Sequence, residues 1–485
     1  MTRVSTRQRL CYVWNRLTET GREMRTNHIQ AALEESRRTR KNALDGFKTL
    51  LRFPSISQDR AFQPQLLACA DWILAQMRRI GLDNVQRLPT DGNPILYADW
   101  LHAGADKPTM LFYAHYDVQP VGDESLWHSP PFEPTAINGR LVARGAVDDK
   151  CGIWLNLVAI DSILKACGQL PVNIKLFFEG EEELGSKHAG PGIAANRELL
   201  AADALIISDG PFSPEQPIIG YAVRGSVTGE VRIQGPRHDL HSGRYGGAVS
   251  NPAHHLARII ASLHDESGRV LIPGFYNDAI PMTDRQTRHM NQLWKTIGPE
   301  IQRAAGVDAF FGDYLGVFAE RTTAQPTLDV SSIRGGYQGG GARAIIPAEA
   351  SFKLTIRTVA GQDAQVMWSR FVAHVMAFAE PGIAAETELL SIAHPFLMPD
   401  DSREIQAIQR ALQAALGAQA LLMRHGGSLA IGGLLAKELS LPVTLFGYGS
   451  GGNSHAPNEY IGVDDIQVAT EVAIRLLFEL GNQEL

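Results

Sequence analysis

The chain has 485 residues, with 44% hydrophobic and 20% charged residues and a formal charge of −7. That length exceeds one ordinary core and predicts two domains. The mild acidic excess gives no support for a nucleic-acid partner or a membrane surface, and no apolar run reaches bilayer length.

The first residues, MTRVSTRQRLCYVWNRLTETGRE, are basic but lack the apolar run of a secretory signal. Residues 1–27 are expected to be a poorly ordered extension, with Met24 as the alternative start. From residue 28 a helical pattern runs to Pro54, and a second helix is predicted from Pro64 to Ile80. Strands and helices then alternate. TMLFYA (109–114), VNIKLFF (172–178), ALIIS (204–208) and PVTLF (442–446) read as buried strands. Between the first two, Ile153, Leu157, Ile160 and Leu164 share one face of a helix over 150–167. This rhythm predicts an α/β domain with a mostly parallel central sheet.

The segment 217–394 changes rhythm. Strands are expected at 227–233, 327–333, 351–359 and 386–394, with helices at 251–265 and 363–380. The order β-α-β-β-α-β is that of a ferredoxin-like α+β unit, here carrying an insertion over 266–326. The predicted organisation is one domain over 28–216 and 395–485, interrupted by a second over 217–394. The four cysteines, Cys11, Cys69, Cys151 and Cys167, form no C-x-x-C pair. A reducing, cytoplasmic setting follows as the expectation.

Acids and histidines cluster where the predicted strands end. In parallel sheets, ligands bind beyond the carboxyl ends of the strands. His115 follows TMLFYA, Glu182 and Glu183 lie just past VNIKLFF, and Asp209 follows ALIIS. Asp148 lies in RGAVDDKCG and His455 in the Gly-rich GYGSGGNSHAPNE. Each motif has a plainer reading. Asp148 or Asp149 could cap the following helix. Asp209 could be a turn residue before glycine. H-x-D alone is commonly structural. Jointly they have the composition of a two-metal hydrolase centre. Such a centre holds two cations roughly 3.5–4 Å apart, which calls for a bridging carboxylate and a His and an acid for each ion. Asp117 is placed to orient His115, and a spare acid is available as general base.

In order, AHYDVQP, RGAVDDKCG, EGEEELGS, SDG and SHAPNE resemble the signature set of the carnosinase and carboxypeptidase G2-like metallopeptidases, a family with aminoacylase and succinyl-diaminopimelate desuccinylase relatives. The resemblance runs from about residue 28 to the end. It implies a two-zinc catalytic domain with an inserted lid and dimerisation domain, Mn²⁺ or Co²⁺ being alternative metals. It implies that Asp148 bridges the ions, that His115 and Asp209 complete one site, and that Glu183 and His455 complete the other. Glu182 becomes the general base acting on a metal-bridging water, and Asp117 holds His115. Cys151 stands where the family has glycine, and is expected to be an inert core thiol. Three further features resemble the carnosinase-like dipeptidases. His241 in RHDLHSGRYGG matches a histidine contributed in trans within a homodimer. Arg357 and Ser428 match groups that hold the substrate's terminal carboxylate, for which an Arg fork is suited. His425 stands where cytosolic dipeptidase relatives carry an acid.

The expected activity is hydrolysis of dipeptides or similar small amides with a free C-terminal carboxylate. The alternatives are an amidohydrolase of N-acyl or N-carbamoyl amino acids and a non-catalytic, metal-stabilised binding protein.

Overall fold

The strand Thr109–His115 forms the middle of the first unit and is buried from Met110 onward. The computed structural model describes residues 6–210, 212–311 and 317–482. These fall into two compact units: Met1–Ile219 with Pro399–Leu421 and Glu438–Leu485, and Gly220–Met398 with Leu422–Lys437.

In the first unit, Thr109–His115 pairs in parallel with Asn173–Glu179 on one side and Ala204–Ile207 on the other. Val443–Leu445 extends the parallel arrangement beyond Ala204–Ile207. Ile95–Trp100 and Asp83–Leu88 continue the other edge as antiparallel strands. The central strands are near-continuous apolar runs because both faces of the sheet are covered. Leu111, Phe112, Leu176, Phe178, Leu205 and Ile206 are at most 1% exposed. The mostly parallel sheet inferred from the sequence is therefore present.

The helix Lys150–Cys167 packs against Thr109–His115 and against the helices Thr6–Arg38 and Val463–Leu480. It is buried nearly all round over its first turns, including Trp154 and Leu155. A single apolar stripe understated it, since a helix enclosed on several sides buries more than one face.

The helix expected from residue 28 to Pro54 is two helices, Thr6–Arg38 and Arg40–Leu51. They meet at Thr39, whose hydroxyl donates to Glu35 O at 2.8 Å. The first of them runs through the expected N-terminal extension, while residues 1–5 lie outside the described residues. Arg25 and Arg37 tie it to Glu479 and Glu471 of the last helix, at 2.6 and 2.7 Å.

A small antiparallel sheet completes this unit. Arg140–Val142 pairs with Thr135–Ile137 and with Tyr460–Gly462, which in turn pairs with Gly451–Gly452. The loop between the last two strands carries His455.

The second unit centres on a four-stranded antiparallel sheet in the order Thr327–Gly335, Glu349–Thr358, Gly225–Gln234, Ala384–Ala393. Helices Pro252–Ala261 and Ala364–Met376 pack on it through Leu256, Ile259, Met367 and Phe371, against Val227, Val231, Phe352 and Leu354. Along Gly225–Gln234 buried and less buried residues alternate, as a sheet with one covered face requires. Gly229 is needed there, because a Cβ would meet Trp368 at 2.4 Å. This is the expected split βαβ unit. Its insertion contains the helix Asp284–Ala305, opened by a capping box between Thr283 and Gln286. Leu422–Lys437 groups with this unit, whereas the sequence pattern placed all of 395–485 with the first. Among the described residues, no helix is long and apolar enough to cross a membrane.

Candidate metal centre

His115 is the last residue of its strand, and Glu179, its parallel partner in register, ends the next one. Two parallel strands thus finish at the same level, and the loops beyond them meet. His115 is fully buried, with Nδ1 3.0 Å from the Asp117 carbonyl oxygen and 3.4 Å from Oδ1 of the same residue. Its Nε2 lies 3.0 Å from Asp148 Oδ1 and 3.8 Å from Asp209 Oδ2. On the other side of Asp148, Oδ2 lies 3.0 Å from His455 Nε2, which is 3.4 Å from Glu183 Oε2.

The result is two triads that could each hold a metal ion, His115–Asp148–Asp209 and Asp148–Glu183–His455, each with donor atoms within 4.8 Å of one another. Asp148 belongs to both and turns a different oxygen to each. Imidazole nitrogen and carboxylate oxygen are the donors that Zn²⁺ and its neighbours in the first transition row accept.

The electrostatics fit the same reading. Burial pushes Glu182 up to about 8, with Asp209 and Glu183 adding to it. Burial also raises Glu183 to about 7 and Asp209 to about 6. Burial lowers the affinity of His115 for a proton, but hydrogen bonds to Asp117 and Asp148 outweigh it and hold this group well above the usual histidine range. Burial would raise Asp148, yet hydrogen bonds from His115 and His455 keep it below the usual carboxylate range. So many acids share one low-dielectric spot that positive charge there relieves them.

Asp117 also reaches the acidic loop. Its carboxylate accepts from the Glu182 and Glu183 amides at 3.2 and 3.1 Å, and from Ser57 Oγ at 2.7 Å. It therefore clamps the acidic loop to the His115 strand. Glu182 belongs to neither group.

Several contributors are not assigned to the site from the sequence, where Asp149 reads only as a possible helix cap. Asp149 accepts from the His115 amide at 3.2 Å and makes no helix-capping bond through its side chain. Gln119 donates to Glu183 Oε2 at 2.6 Å. Glu459 is fully buried beside the Asp148 segment. A buried acid in an otherwise polar motif carries no sequence signal of its own, although Glu459 lies in the SHAPNE motif.

Cys151 is buried, and its thiol donates to Val147 O at 3.3 Å. Burial pushes the thiol well above its usual range, so it is poorly suited to thiolate chemistry. Cys151→Ala should cost about 1–2 kcal/mol in a urea melt, in line with other small core truncations. Metal content and kcat/KM should stay within a factor of about two, since about 0.4 kcal/mol of barrier is all that such a factor represents. A collapse of metal content would show that the thiol is a ligand.

The remaining three predicted residues lie in the second unit. Arg357, on the strand Glu349–Thr358, donates through Nη1 to Ser428 Oγ at 2.7 Å, so these two are brought together. His241 is exposed, and its Nδ1 accepts from the Gly243 amide at 3.0 Å. That capping contact is the structural alternative to a substrate role. Burial pushes the nearby His425 down to about 4, leaving it neutral.

Residues 111–479 match the sequence profile of peptidase family M20/M25/M40. A Cys-Gly metallodipeptidase of Candida albicans is 28% identical, over 87% of this chain and 91% of the relative. The Beta-Ala-His dipeptidase of Mus musculus is 28% identical, over 80% of each chain. Among solved structures, an M20 family metallo-carboxypeptidase from Sulfolobus solfataricus superposes with a TM-score of 0.78 at 30% identity, covering 90% of this chain and 99% of that one.

Proposed function

The chain belongs to peptidase family M20/M25/M40, and from that premise we propose that it is a two-zinc peptidase cleaving dipeptides or similar small amides with a free C-terminal carboxylate. The observation that carries this reading is Asp148, which turns one oxygen to His115 and the other to His455, each at 3.0 Å. A shared carboxylate flanked by two complete donor sets is what a cation pair requires. The relatives named as Cys-Gly and Beta-Ala-His dipeptidases support a dipeptide substrate.

His115, Asp148 and Asp209 would hold one ion, and Asp148, Glu183 and His455 the other. Bound there, the ions polarise the scissile carbonyl and make water acidic enough to attack at neutral pH. Glu182 takes the proton from the attacking water and passes it to the leaving amine. Its raised pKa suits a group that must both accept and return a proton near neutrality. Asp117 fixes both His115 and the Glu182–Glu183 amides, so the base and the ligands share one anchor. Arg357 and Ser428 grip the substrate carboxylate, which selects small substrates by their chain end. The first unit is then the catalytic part and the second the lid. The working setting is the cytoplasm.

The test is direct. Protein stripped by a chelator should hydrolyse no dipeptide, and activity should return with Zn²⁺, Mn²⁺ or Co²⁺. Comparing a free dipeptide with its N-acetyl form then separates a dipeptidase from a deacylase of N-acyl or N-carbamoyl amino acids. Preference for the acetylated form would overturn the dipeptide assignment. No turnover of either, with metal bound, would favour a binding protein.

The second part of the proposal is a homodimer in which His241 serves the partner's centre. Mixing His241→Ala with Glu182→Gln subunits should restore activity, because each mixed dimer holds one site with neither defect. No recovery after verified subunit exchange would rule out sharing.

A further inference from the structure

We propose that Glu459 is a positioning residue for the metal centre, locking the segments that carry His115, Asp148 and His455 into one rigid frame. The inference rests on the two-metal reading above and extends it to a residue outside both ligand triads.

Glu459 lies four residues after His455 and is completely buried. Its two oxygens are fully used. Oε1 accepts from the Val147 amide at 2.9 Å and from the Asp148 amide at 3.1 Å. Oε2 accepts from the Gly145 amide at 2.9 Å and from Arg144 Nη1 at 2.7 Å. Three of the four donors are backbone groups of the segment that ends on Asp148. One carboxylate from the His455 loop therefore organises the backbone that presents the shared ligand.

Arg144 carries the connection further. It is 1% exposed, and its Nη2 donates to Pro120 O at 3.1 Å. Pro120 lies three residues beyond Asp117, in the loop that follows His115. The guanidinium also sits over the Trp127 ring, 5.4 Å from its centroid. Glu459 and Arg144 together thus touch three of the five segments that carry the candidate ligands, those of His115, Asp148 and His455.

The strand ladder explains why a carboxylate is needed here. Gly462 pairs with Arg140, Ile461 with Leu141 and Tyr460 with Val142, where the strand pairing ends on the Glu459 side. The Ala143 amide still reaches Glu459 O at 3.0 Å. Beyond that point the backbone turns towards Asp148 and leaves the ladder, with its amides pointing inward. In a buried place those donors need acceptors. A carboxylate offers acceptors only, and its charge matches Arg144. Glutamine has the same shape but would turn an NH₂ group towards amide or guanidinium donors. Asp148 would then lose the constraint that keeps its two oxygens on two different histidines.

The experiment uses the full chain and metal ions alone. Zn²⁺ affinity and stoichiometry are measured by calorimetry and chelator competition for the unaltered protein, Glu459→Gln, Glu459→Asp and Arg144→Lys. Visible spectra of the Co²⁺-loaded proteins report ligand geometry, and circular dichroism confirms that each variant is folded at the temperature used. The unaltered protein should take up two ions. Glu459→Gln should bind at least one of them about 10–100-fold more weakly, the usual effect of losing an outer-shell partner, with a changed Co²⁺ spectrum. Arg144→Lys keeps the charge but loses the fork, so it should weaken binding in the same direction. It also decides the matter if Glu459→Gln does not fold. Glu459→Asp should recover part of the loss.

A role confined to general stability would lower the melting temperature and leave affinity and spectrum unchanged. That result, in Glu459→Gln or, failing it, in Arg144→Lys, overturns the proposal. An unaltered protein that takes up no ions overturns the two-metal reading, and this inference with it.

Discussion

Asp148→Asn should empty the centre and abolish hydrolysis. Asp148 supplies an oxygen to each triad, 3.0 Å from His115 Nε2 on one side and 3.0 Å from His455 Nε2 on the other. Asparagine has one acceptor oxygen and one donor group. It can serve one ion at most, and it removes the negative charge that offsets repulsion between two cations. The loss of metal-based stabilisation is worth several kcal/mol of barrier, so activity should fall by about 10³-fold or more, each factor of ten being about 1.4 kcal/mol. Elemental analysis of the purified variant should find less than one ion per chain. Two retained ions with ordinary turnover would show that Asp148 is not the bridge. The substitution is also informative about folding. The Asp148 amide is held by Glu459, and nothing in the asparagine side chain disturbs that contact. The variant should therefore fold, which separates lost metal from lost structure.

The second large effect is expected from Glu182→Gln. This residue lies in the loop clamped by Asp117 and belongs to neither ligand triad. Glutamine preserves its shape and its place in the loop but cannot take up a proton. Turnover should fall by about 10²–10⁴, the range spanned by general acid–base catalysis. The metal content should be unchanged, and substrate should still bind. This split between chemistry and binding distinguishes the variant from Asp148→Asn, in which both fail. Near-normal turnover would move the base role to a neighbouring acid. Glu183 is the neighbour in question, but its carboxylate faces His455 at 3.4 Å and accepts from Gln119 at 2.6 Å. Those contacts tie Glu183 to the second triad and leave Glu182 as the free acid.

Much of this centre was legible from residue order alone, for a physical reason. In a parallel sheet with both faces covered, each strand is a short apolar run, and its carboxyl end is the first place where a polar side chain can emerge. TMLFYA followed by His115, VNIKLFF followed by the acidic loop, and ALIIS followed by Asp209 all show that transition. The strands Thr109–His115, Asn173–Glu179 and Ala204–Ile207 each end within one residue of where these patterns predict. Arg357 and Ser428 could be named by resemblance, but only the fold places them 2.7 Å apart, across 71 positions in the chain.

Other features had no such signal. The helix Lys150–Cys167 carries no sharp apolar stripe because it is enclosed by the sheet and four helices, and enclosure is a property of neighbours. The segment Leu422–Lys437 lies far along the chain yet groups with the second unit, an association that local periodicity does not encode. The double duty of Asp117 likewise needed the acidic loop to fold back over it.

Sequence alone determined the alternation of elements, the family resemblance and the identity of the ligand-type residues, because strand period, apolar burial and donor chemistry are local properties. Tertiary structure alone decided which oxygen of Asp148 faces which histidine, that Asp117 grips two amides, and that Glu459 and Arg144 brace the segments around them. Those relations join residues up to hundreds of positions apart, and a side chain's partners exist only after distant segments have closed around it.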